Sequence, residues 1–180
     1  MNSIVNIAKE QMKPARLRSA IAVSLLVCSA GAATAAEATW SRRVLTPETA
    51  LRAAQAAQAE CRNRGWQATV TVSDPSGSPI VVLRDRFAGW HTLEAASGKA
   101  RTAASWRDAT SNVAARVGRV DSPEKGIMTL PGVVMVGGGL PIEAAGQMVG
   151  AIGVSGAPGG EADDVCAKAG IAAIEADIEF

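Results

Sequence analysis

The chain has 180 residues, with 18 Lys and Arg against 17 Asp and Glu, a single His, and 48% hydrophobic residues. So even a charge balance excludes a general nucleic-acid binder, because phosphate recognition needs a strong basic excess to displace counterions. One histidine excludes a zinc site of two or three imidazoles within one subunit, and no Cys-x-x-Cys stands in for it.

Residues 1–36 read as an export leader. Lys9, Lys13, Arg16 and Arg18 form a basic start, "AIAVSLLVCSAGA" supplies an apolar run, and "AATAAEA" offers small residues for a cut before Ala36 or Glu37. The run falls short of the roughly 20 apolar residues of a membrane span, so no span is expected after cleavage. Cys28 follows Val27, where lipoprotein processing wants a small residue. The expected product is residues 37–180, a periplasmic or secreted single domain with 14 basic and 16 acidic residues, net charge −2.

"LTPETALRAAQAAQAECRNRG" predicts a helix, with Thr46 as N-cap, Pro47 at the first position and Gly65 as the stop. "WQATVTVSD" alternates and is β-branched; with the turn "PSG" and the return "SPIVVLRD" it predicts a hairpin. "RFAGW" is a linker, "HTLEAASGKARTAASWRDA" a second helix with Thr92 as its cap, and "SNVAARVGRV" a short third one. "DSPEKGIMTLPG" reads as loop. "VVMVGGGLPIEAAGQMVGAIGVSG" predicts three strands separated by turns, with Gly137, Gly138 and Gly139 at a bulge or tight corner. The order α-ββ-αα-βββ-α gives an α+β fold, an antiparallel sheet of about five strands flanked by helices.

The stretch "GVSGAPGGEADD", residues 153–164, invites a phosphate-loop reading, but Glu161 stands where a Walker loop has lysine. Acids there occupy the positive end of the helix that a phosphate would use. It reads instead as a strand leaving the sheet, a glycine turn and a last helix. From Arg84 to Lys125 there are eight basic residues against five acids, and from Glu143 onward seven acids against Lys168. Those are two solvated surfaces, or a basic middle that meets carboxylates, with an acidic last helix elsewhere. Cys61 and Cys166 both fall on predicted helices, as a disulfide in an exported protein or as two buried thiols.

His91 opens the second helix, and Ala95, Gly98 and Thr102 follow on its side, a small face for a flat ligand or a crossing helix. Trp90 and Trp106 can line an apolar ligand or simply fill the core. Lys99 and Arg101 can pair with ligand carboxylates. Glu94 can serve as acid or base. No G-x-S-x-G elbow is present.

"HTLEAASGKARTAA" resembles the H-T-L-x-x-A-x-x-K-A-x-T-A segment of the GlcG/HbpS family. "LPGVVMVGGGLPI" and "GQMVGAIGVSGAPGGEADDVCAKAGIAAI" are similar to its C-terminal signature, and the likeness spans about residues 44–175. The resemblance implies homo-oligomers, haem binding in some members, links to haem degradation or to a partner protein in sensing, and catabolic roles in others. It implies His91 as an axial haem ligand and the metal-binding residue, Thr102 as a second ligand candidate, Lys99 and Arg101 as propionate partners and Trp90 as packing. The chain departs from the pattern at Ser97 and Gly98, where basic residues are usual, which shifts propionate recognition onto Lys99 and Arg101. No C-x-x-C-H is present for covalent attachment.

Three expectations follow. The first is an exported, non-enzymatic protein holding haem in a pocket or subunit crevice. The second is a small enzyme acting on an unsaturated or carboxylated metabolite, with His91 or Glu94 as acid/base. The third is an oligomeric sensor acting through Cys61 and Cys166.

Overall fold

The computed structural model describes residues 40–179; the leader expected over residues 1–36 lies outside them. Among the described residues no helix is long and apolar enough to cross a membrane. Helix α1 (Pro47–Asn63) begins as expected: the Thr46 hydroxyl accepts the Thr49 amide at 3.2 Å, satisfying one of the free donors of the first turn. Strands β1 (Thr69–Ser73) and β2 (Pro79–Arg84) form the predicted hairpin. Helices α2 (His91–Trp106) and α3 (Thr110–Val117) follow, then a 3-10 turn at Lys125–Thr129. Strands β3 (Gly139–Ala144) and β4 (Gln147–Ser155), helix α4 (Gly160–Ala172) and the short α5 (Glu175–Ile178) complete the chain.

The sheet is antiparallel throughout, in the order β2-β1-β4-β3, so it has four strands and not the expected five. The missing strand is "VVMV": its backbone is engaged elsewhere, the Val134 amide donating to the Thr102 hydroxyl at 2.9 Å. The following glycines pass against α4, where the Gly138 amide donates to the Asp164 carboxylate at 2.5 Å. β-branched composition alone could not reveal that these partners outcompete a ladder. The β3–β4 turn is Ala145 and Gly146, both at positive φ (47° and 73°), the geometry a two-residue hairpin needs to match strand twist.

Alternation divides the sheet into two faces. Val70, Val72, Ile152 and Val154 join the main core with Ala50, Ala53, Ala54 and Ala57 of α1 and Ala167 of α4. Thr69, Thr71, Ala151 and Gly153 face α2 instead, where Thr69 meets Thr92 and Thr71 meets Ser97. Gly153 permits a close approach: a Cβ there would stand 2.6 Å from the Ala100 nitrogen and nearer still to the Ala96 carbonyl. Cys61 and Cys166, left open by the sequence, form a disulfide that joins α1 to α4 across the fully buried core, with Cα atoms 5.5 Å apart.

A cleft at the start of the second helix

The end of β4, the N-terminal turns of α2 and α4, and the chain just after α1 converge on an open cleft of about 590 Å³. That size falls within the usual range of small-molecule sites. Its walls include Trp66, Phe87, His91, Val134, Lys99 and Asp163. These elements meet because the start of β1 and the ends of β2 and β4 lie side by side, Thr69 pairing with Arg84 and with Ser155, so that the chain arrives from α1 and leaves for α2 and α4 at the same end of the sheet. The stretch 153–164 behaves as read: β4 ends, Gly156 turns at φ +133°, and α4 begins at Gly160.

Lys99 and Asp163 form the floor. Both are about 97% buried, and the ammonium donates to the Asp163 carboxylate at 2.6 Å and to the Val154 carbonyl at 2.9 Å. The other carboxylate oxygen of Asp163 accepts the Ala157 amide at 3.0 Å, fixing the turn before α4. Burial pushes the Asp163 carboxyl above its ordinary value, against the hydrogen bond and charge of Lys99, which pull it down. The acidic last helix expected elsewhere therefore comes against the basic middle at this one buried ion pair.

His91 stands at the rim, exposed, with Trp90 edge-on to its ring at a centroid distance of 6.2 Å. Among the described residues neither imidazole nitrogen has a hydrogen-bond or ion-pair partner. Phe87 (78% exposed) and Trp90 (77% exposed) flank it, an unusual exposure for large aromatic side chains. Thr92 is not an N-cap as expected; it lies inside the first turn, where its hydroxyl donates back to the Gly89 carbonyl at 2.6 Å.

The remaining singled-out residues separate. Thr102 is 1% exposed and accepts the Val134 amide, which places it under the 132–136 segment and off the cleft wall. That segment also closes the small face of α2, since a Cβ on Gly98 would stand 2.5 Å from Val134 Cγ2. Glu94 and Arg101 line a different, smaller hollow of about 330 Å³ with Leu93, Ser97 and Gly132. A third hollow, about 460 Å³, lies between the start of α1 and the chain's C-terminal turn and contains none of the singled-out residues. Among the described residues no three His, Cys, Asp or Glu side chains cluster to hold a metal ion.

Sequence reasoning missed Phe87, Trp66 and the role of Asp163 in this cleft. Phe87 was visible in "RFAGW" as an aromatic four residues before the histidine; the pairing of Asp163 with Lys99, 64 residues apart, left no local signal.

A model of the family described as "Haem degrading protein HbpS-like" matches residues 45–172. Protein GlcG of Escherichia coli is 29% identical over 112 residues, covering 62% of this chain and 81% of the relative. A crystal structure of a double mutant of Streptomyces reticuli HbpS is similar at 36% identity and a TM-score of 0.70, covering 77% of this chain and 92% of the other. The PduOC–haem complex matches at 28% identity and a TM-score of 0.65, covering 73% and 95%.

Proposed function

The chain belongs to the HbpS-like family, and from that membership we propose that it is an exported, non-enzymatic haem-binding protein whose ligand sits in the cleft at the start of α2. The observation that carries the proposal is His91: the only imidazole in the chain, unpartnered among the described residues, at the rim of a cleft flanked by two exposed aromatic rings. The solved haem complex of a relative adds support.

The donor set fits the group. An imidazole nitrogen is a common axial ligand to haem iron, and His91 supplies one with no intramolecular bond to break. Phe87, Trp66 and Val134 offer apolar surface on the cleft wall to the flat macrocycle, whereas Trp90 does not line the cleft and stands edge-on to the His91 ring. Lys99 lies on the floor, but Asp163 and the Val154 carbonyl already hold its ammonium, so it acts chiefly on the shape and charge of the floor. Arg101, in the other hollow, is placed to meet a carboxylate only outside the cleft. Haem itself brings an iron centre that takes axial ligands. The protein's part is to bind, orient and partly cover it.

The enzyme reading, with His91 or Glu94 as acid/base and Lys99 or Arg101 as carboxylate clamp, gains less in this cleft, because Lys99 beside His91 is already held by Asp163 while Glu94 and Arg101 line the smaller hollow. Export with removal of residues 1–36, and assembly into a homo-oligomer that covers the open mouth, belong to the same proposal. N-terminal sequencing of the cellular protein and light scattering check them.

Titration of the purified protein with ferric haem tests the function. The expected result is a saturable Soret shift at a fixed stoichiometry, lost or weakened at least about tenfold in His91→Ala. No saturable shift in the wild type would overturn the proposal.

A further inference from the structure

We propose that Gly89 is a positioning residue for His91: its missing side chain lets the imidazole lie against a loop that the Asp85–Arg62 ion pair holds rigid. The inference rests on the haem reading above and goes beyond it by naming what sets the ligand's direction.

The loop between β2 and α2 is tied on both sides of Gly89. Asp85, 2% exposed, accepts Arg62 Nε at 2.6 Å and the Arg86 amide at 2.8 Å. Its own amide donates to the Ala68 carbonyl and its carbonyl accepts the Ala88 amide, each at 3.1 Å. The Arg84 guanidinium donates to the Ala88 carbonyl. On the other side, the Thr92 hydroxyl donates to the Gly89 carbonyl and meets the buried Thr69 hydroxyl at 2.7 Å. Arg62 belongs to the last turn of α1, so the rim of the cleft is braced against the helix on the far side of the sheet.

Against this fixed backbone lies the ring. A Cβ on Gly89 would stand 2.6 Å from His91 Cε1 and 2.9 Å from Nδ1, but 3.7 Å from Nε2. Nδ1 is therefore the nitrogen turned to the loop, and Nε2 the one left to a ligand. The Gly89 backbone is not in the left-handed region, so alanine is admissible there. The one conflict is with a side chain that can rotate away. Substitution should move the imidazole while leaving the fold intact, which is the signature of positioning as opposed to scaffolding.

The test is Gly89→Ala, followed by urea unfolding, the proton spectrum of the apo protein, and ferric-haem titration. Because the chain has one histidine, its Hε1 resonance is unique and reads the ring's surroundings without haem. The expected result is an unchanged unfolding midpoint, a displaced Hε1 resonance, and haem affinity lowered about 10–100-fold. Asp85→Asn and Arg62→Ala should displace the same resonance, with Arg62→Lys restoring part of its position. An Hε1 resonance at the wild-type position in Gly89→Ala, or a large loss of folding stability, overturns the inference. If the wild type binds no haem, the functional proposal fails while the apo resonance still decides the positioning claim.

Discussion

Replacing Lys99 with methionine removes one half of the buried pair beneath the cleft. At 2.6 Å the two charges attract by about 6 kcal/mol at an effective dielectric of about 20, offset by the cost of taking both out of water. Removing only the cation leaves the Asp163 carboxylate with the Ala157 amide as its remaining partner, and such half-broken buried pairs cost about 3–5 kcal/mol. Lys99→Met should therefore lower the urea midpoint strongly at pH 7 with an unchanged slope. The pH dependence has a definite sign. Burial already raises the folded-state value of Asp163, and loss of Lys99 raises it further. The folded variant then holds its proton more tightly than the unfolded chain, so the penalty is fully present above the folded value. It shrinks as pH falls through that value and is gone below the ordinary carboxylate value of 3.8. Adding Asp163→Leu should recover about 2 kcal/mol or more at pH 7, the coupling expected of a direct pair. A Lys99→Met variant as stable as wild type at pH 7, or additive losses in the double variant, would refute this account of the floor.

Two further outcomes follow from the packing. Gly153→Ala places a methyl 2.6 Å from the Ala100 nitrogen and against the Ala96 carbonyl, both backbone atoms of α2. It should cost at least the about 1–3 kcal/mol of ordinary overpacking, measured by thermal unfolding, and should weaken haem binding by shifting α2. Breaking the Cys61–Cys166 bond by a double serine substitution opens a link across 105 residues. The loop-entropy model puts that loss at about 4–5 kcal/mol, readable as a lower denaturant midpoint, and thiol labelling of folded residues 37–180, which leave out Cys28, should be absent.

Much of the fold was legible because local chemistry and tertiary packing agree. Thr46, Pro47 and Gly65 bracket α1 as capping rules require, and alternation in "ATVTVSD" marks a strand with one apolar and one hydroxyl face. Val133–Val136 failed for the opposite reason: its β-branched composition asks for a strand, but Thr102 takes its backbone donor. The site was legible only where it is local. His91, Trp90 and Lys99 stand out in one helix, whereas the partner that holds Lys99 and the loop that braces His91 arise from contacts across the fold. Glu94 and Arg101 were singled out by residue type alone; at about 100° per residue they lie roughly 60° and 80° round the helix from His91, and they face another hollow.

The central claim is that His91 binds the iron of a haem held in this cleft. Since the chain has a single histidine, growth on 15N-labelled histidine puts the isotope at one residue, and the hyperfine spectrum of the ferric complex then reads that residue alone. The account predicts that the axial-nitrogen coupling changes from its 14N to its 15N pattern on labelling. A complex whose axial coupling is unaltered by the label would contradict it.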